Sequence, residues 1–101
     1  MGAEEFVSKA NGKSATEAFN EAVREAQYDH GHSGYTGTIA EKDSFVMVNH
    51  EVSVSDSDDW YSIGEELIDK FEDIACDKWG PACCVRIANT NDYIFFGLAS
   101  S

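Results

Sequence analysis

Four acidic residues, Glu17, Glu21, Glu25 and Asp29, stand four apart in one segment of this chain, and Glu65, Asp69, Asp73 and Asp77 repeat that spacing in a second. On a helix four residues rise about 6 Å, comparable to the spacing of successive phosphates along one nucleic-acid strand. Each row would offer carboxylates at intervals that a phosphate-binding groove accepts. Such rows carry a cost: like charges four apart destabilise a helix by roughly 0.2–0.5 kcal/mol per pair, and acids near its C-terminus oppose the dipole. A chain selected for stability alone would mix lysines into these positions. A solvated face that maintains solubility is the plainer account of the same residues. Because a helix turns every 3.6 residues, an i+4 row drifts around it, which places Asp29 and Asp77 near the buried edge.

The charge is local. The 101 residues hold 19 acids and 7 bases, a net charge of -12, and the segment 51–77 alone holds -9 of it, Asp56, Asp58 and Asp59 included. A surface of this sign repels phosphate backbones and anionic membranes. It excludes direct nucleic-acid binding and favours a basic protein or ribonucleoprotein as partner. On this reading Glu17, Glu21, Glu25, Asp56, Asp58, Asp59, Glu65, Asp69 and Asp73 form the partner-binding set.

A second cluster of chemically able residues lies in DHGHSGYTGT, residues 29–38. His30 and His32 beside Asp29 have the ligand types for zinc or nickel, but a firm site needs a third or fourth ligand, and His50, the remaining histidine, falls on a valine-rich face. No metal is assigned. Glycines with hydroxyls can present backbone N–H groups to a phosphate, yet this loop follows a helix C-terminus, where the dipole opposes an anion, and it lacks the Gly-Lys-Ser/Thr of a Walker loop. A small-molecule or nucleotide site at His30, His32, Ser33, Tyr35 and Thr36 is the alternative function. The bland account is that Gly31 ends the helix while Gly34 and Gly37 permit turns. Ser33 and His32 are adjacent and so seldom face each other productively. No nucleophile with its base, no catalytic residue and no cofactor is assigned, and a metal-dependent enzyme ranks last.

The elements that must position these groups follow from periodicity. Residues 5–10 alternate as a strand, and Asn11-Gly12 turns the chain. Ser14 and Glu17 form a capping box, after which Ala15, Ala18, Phe19, Ala22, Val23 and Ala26 make a narrow apolar stripe, predicting a helix over 15–29. Residues 35–41 read as a strand, followed by a second over 45–54 with Val46, Val48, His50, Val52 and Val54 inward. The next helix opens between Asp58 and Ser62, with Ser62 and Glu65 as a further box. Ile63, Leu67, Ile68, Phe71, Ile74 and Ala75 form its inner face, and Gly80-Pro81 ends it. Trp60, Tyr61 and Trp79 flank it as core plugs. CCVRIA and YIFFGLA around Asn89–Asp92 read as a hairpin. The order β-α-β-β-α-β-β predicts one α+β domain over 1–101: a ferredoxin-like antiparallel sheet with two helices on one face.

Three cysteines, Cys76, Cys83 and Cys84, do not suit a fully paired secreted framework. A reducing cytosol is expected, with Cys83 and Cys84 on opposite faces of a strand as packing residues. No apolar run approaches the roughly 20 residues that span a bilayer, and the N-terminus lacks the basic and apolar regions of a signal peptide.

The stretch Tyr28–Lys42, YDHGHSGYTGTIAEK, followed by Phe45-Val46-Met47-Val48 and later by Asp77-Lys78-Trp79-Gly80-Pro81-Ala82, resembles a group of small phage and prophage proteins, with YTGTIAEK as the specific core. The resemblance implies a viral accessory protein in the bacterial cytoplasm and carries over no catalytic residue. Small acidic phage proteins as a class often inhibit host defence or transcription machinery, anti-CRISPR proteins among them, some by resembling nucleic acid.

Overall fold

In the computed structural model of the chain, residues 3–30, 37–52, 59–71 and 80–100 are described. β1 (Ala3–Asn11) leads into α1 (Ala15–His30), then a 3-10 turn (Ile39–Glu41), β2 (Phe45–Val52), α2 (Trp60–Lys70), β3 (Ala82–Ile87) and β4 (Asp92–Ser100). The strands form one sheet in the order β1-β4-β3-β2. Among the described residues, no helix is long and apolar enough to cross a membrane.

Local chemistry explains the element boundaries. Ser14 opens α1 as expected, its hydroxyl accepting the Glu17 N–H at 3.2 Å and its carbonyl the Ala18 N–H at 3.0 Å. At α2 the cap is Asp59 rather than Ser62: one Asp59 oxygen accepts the Tyr61 N–H at 3.0 Å, and the other accepts the Ser62 hydroxyl at 3.2 Å. A carboxylate at this position satisfies an orphan N–H and favours the helix dipole as well, which a serine three residues later cannot do for the first turn. The β3–β4 hairpin turns at Asn89, in the left-handed region at φ 62. Thr90 holds the turn, donating its hydroxyl to Ile87 O at 2.7 Å while accepting the Asp92 N–H.

Three expectations about the architecture are corrected. The segment 37–41 is not a strand: Gly37 takes φ 71, the Thr38 hydroxyl accepts the Ala40 N–H, and the chain coils into the 3-10 turn that buries Ile39 under α1. The sheet is mixed rather than antiparallel. β1–β4 and β3–β4 are antiparallel, but β2 and β3, joined through α2, pair in parallel, because returning through a helix brings the second strand in along the direction of the first. Nor do the helices share a face. Phe19 and Ala22 of α1 pack with Cys84, Tyr93 and Phe95, whereas Leu67 and Ile68 of α2 pack with Cys83, Val85, Ile94 and Phe96. Successive residues of one strand point to opposite faces, so the two helices sandwich the sheet.

The continuous apolar runs of β3 and β4 are the sequence counterpart of this layering, since a strand covered on both sides does not alternate. β2, at the other edge, does alternate in part: Val48 and Val52 are buried as expected, whereas Val46 and Met47 are 40% and 45% exposed. The Val54 position and the His50 side chain, with residues 72–79 and therefore Ile74, Ala75, Cys76 and Trp79, lie outside the described residues.

Cys83 and Cys84 do point to opposite faces, and both are fully buried. Burial, followed by the neighbouring Cys83, pushes the Cys84 thiol up to about 12. A thiol held this way supplies almost no thiolate at neutral pH and is inert. Iodoacetamide at mildly alkaline pH is expected to leave both residues unlabelled in native protein and to label both in urea, as read by peptide mass mapping. Rapid native labelling of either would show that its face is uncovered.

Candidate functional site

The first acidic row stands on α1. Its apolar stripe, Ala18, Phe19 and Ala22, sinks into the sheet, and the small alanines let the helix lie close. Glu17, Glu25 and Asp29 are exposed, and Glu21 is half-exposed and ion-paired with Arg24. Asp29 therefore stays in solvent instead of drifting to the buried edge: the stripe is so narrow that the row keeps clear of it through the last turn. From Glu17 to Asp29 the row rises about 18 Å along the helix.

The second row is split. Glu65 and Asp69 are exposed on α2 beside Glu66, but α2 lies across the sheet from α1, so the rows cannot combine into one doubly charged surface. Asp59 is occupied as the α2 cap. Asp56, Asp58, Asp73 and Asp77 lie outside the described residues, as do the His30 side chain, His32, Ser33, Tyr35 and Thr36.

Two bases are drawn into structural contacts, Lys42 by burial and Arg86 by partial cover. Lys42 is 4% exposed, donates to Gly80 O at 2.9 Å and sits 6.0 Å from the centre of the Phe6 ring. Arg86 donates to Thr90 O at 2.9 Å and reaches Glu51 at 3.5 Å.

A feature that the periodicities do not announce is a cleft of about 430 Å³ along β1. Its floor is the run Glu5–Lys9. One wall is α1 through Ala22, Glu25, Ala26 and Asp29; the other is Trp60 and Tyr61 at the start of α2. Gly37 and Thr38 border it, with Gly37 packed so closely on Glu4 that a Cβ there would lie 2.5 Å from the Glu4 carboxylate. β1 touches helices from both faces of the sheet, α1 on one and α2 on the other, and no β4 residue is among the described lining. Trp60 is half-buried against the α2-side core, while Tyr61 is 44% exposed, so the expected core plugs are one partial plug and one exposed ring. The cleft joins the C-terminal end of the α1 acidic row to the outer edge of β1 and the start of α2. Its sequence signal is faint: Glu5 and Lys9 carry ordinary surface charges, and their meeting with Glu25 and Trp60 depends on the strand order.

Among the described residues no group of three or more His, Cys, Asp or Glu side chains converges as a metal site would. Comparison with protein-family models, with curated proteins and with solved structures gives no match. The residues themselves therefore carry the functional reading.

Proposed function

We propose that this chain is a binding protein whose α1 face occupies a basic surface on a nucleic-acid-handling host protein or ribonucleoprotein and keeps DNA or RNA out of it. The observation that carries this reading is the outward placement of Glu17, Glu25 and Asp29 along the whole of α1, with Arg24 the sole base on that helix and already paired to Glu21. With the rows on opposite faces, the mimicry is of a single strand's charge spacing. α2, through Glu65 and Asp69, contributes long-range attraction. The likeness to phage proteins makes inhibition of a bacterial defence complex the biological setting of this proposal.

The small-ligand alternative draws on the cleft, which Asp29, Gly37 and Thr38 line. The carboxylates of Glu5, Glu25 and Asp29 disfavour a nucleotide phosphate there, so protein binding is the better reading.

The test is capture of host proteins at low salt, comparing the native chain with a Glu17→Lys, Glu21→Lys, Glu25→Lys variant. Capture of nucleic-acid-binding proteins is expected to fall at least about tenfold in the variant, to weaken as salt rises, and to be reversed by added DNA or RNA. Capture that survives both charge reversal and nucleic-acid competition would sink the proposal.

A further inference from the structure

The cleft beside β1 has a chemical grammar of its own. The Gly12 N–H donates to Asn91 O at 3.0 Å, and the β1–β4 register runs unbroken from Asn11↔Asp92 to Ala3↔Ser100. Bonded and non-bonded pairs alternate along an antiparallel ladder. Even-numbered residues of β1 therefore turn their backbone groups to β4, while Glu5, Val7 and Lys9 turn their N–H and C=O groups into the cleft. Among the described residues no strand pairs with that edge.

We propose that this cleft takes an extended lysine- or arginine-rich segment of a partner protein as an added strand alongside β1. Main-chain bonds to Glu5, Val7 and Lys9 would supply sequence-independent affinity, and the alternation of the incoming strand would supply specificity. Side chains directed to one face meet Glu25 and Asp29, which select for cations. Those directed to the other meet Trp60 and Tyr61, whose rings accept either apolar groups or a cation. The matching segment thus alternates basic with apolar or basic residues.

Charge also decides against a second copy of this chain as the occupant. Edge-to-edge pairing would crowd the Glu25–Asp29 walls of two chains against each other, each chain with a net charge of -12. Natural edges are usually blunted by charge or cover; here the acidic wall rejects self-pairing while leaving the edge open to a basic strand.

The test uses a capped peptide of alternating lysine and valine, labelled for fluorescence anisotropy, with the full chain at physiological salt. Saturable binding is expected. It should weaken about tenfold or more when the peptide amides that face β1 are N-methylated, and likewise in a Glu25→Lys, Asp29→Lys variant. Lys9→Pro, which removes an outward N–H without breaking the β4 ladder, should weaken it too. Because the N-methylated peptide leaves the protein untouched, the test survives a variant that folds poorly. Equal binding of the N-methylated peptide, or of a glutamate–valine peptide, would overturn strand addition. So would sedimentation of the free chain as a dimer that Lys9→Pro dissociates, which would make a second copy the occupant. The proposal is separable from the α1-row reading: Glu17→Lys, about 12 Å along the helix from Glu25, should leave peptide binding within about twofold while host capture drops.

Discussion

Phe95→Ala is expected to cost about 3–5 kcal/mol of folding stability, the largest effect of any single truncation on the α1 side of the sheet. Phe95 is fully buried on β4, one of the two inner strands, with its ring centroid 5.6 Å from that of Phe19 on α1 and 5.7 Å from that of Phe45 on β2, both edge-on. One side chain thus joins both ends of the long crossover from β1 to β2. For a domain of this size each 1 kcal/mol lowers the melting temperature by about 4–8 °C, so a fall of about 12 °C or more should be seen by calorimetry. Total stabilities of about 5–15 kcal/mol would leave the variant marginal at 37 °C. Phe45→Ala, at a partly buried site, should cost clearly less. Equal losses from the two substitutions would mean that Phe95 is not the hub of the aromatic cluster.

Gly64→Ala is expected to destabilise the protein by about 1–3 kcal/mol through overpacking, against the helix-propensity gain of about 1 kcal/mol that the same change brings in an exposed helix. A Cβ at Gly64 would lie 2.3 Å from Val7 Cγ1 and 2.9 Å from Cγ2. The absence of a side chain lets α2 rest directly on β1. Removing the obstructing methyls should reverse the sign: in a Val7→Ala background, Gly64→Ala becomes neutral or stabilising. Urea midpoints for the four members of this double-mutant cycle would measure the coupling. Independent, additive effects would show that the two residues do not touch. The same contact sets Trp60 and Tyr61 beside the β1 rim, so Gly64→Ala should also weaken peptide binding in the cleft.

Much of the fold is legible along the chain because it rests on interactions between near neighbours. The Ser14 cap and the alanine stripe place α1 to within a residue at each end, and the polar Asn89–Asp92 connection marks the β3–β4 hairpin. The errors arise where distant residues decide. Thr38-Ile39-Ala40 alternates like a strand, but Gly37's left-handed turn and the Thr38 cap coil it beneath α1. The Ser62 box is as plausible locally as the Asp59 cap, and it loses because Asp59 both accepts from the first turn and engages Ser62. The paired apolar runs CCV and YIFF carry the two-sided burial, but a hairpin pattern by itself does not say which face each helix covers.

By itself the sequence determined the α+β class, the span of α1 and the outward i, i+4 row on it, because capping, side-chain period and local charge are properties of short segments. The second helix, expected to run to Gly80-Pro81, instead ends at Lys70 with Phe71 as its cap. Which strands stand at the edges of the sheet, which helices flank β1, and that Glu25, Asp29 and Trp60 meet there were decided only by tertiary structure. β4 inserts between β1 and β3, so β1 becomes a rim strand, and the two helices close on opposite faces around it. Strand order is a long-range choice, made by burial on both faces of the sheet, and no segment carries it alone.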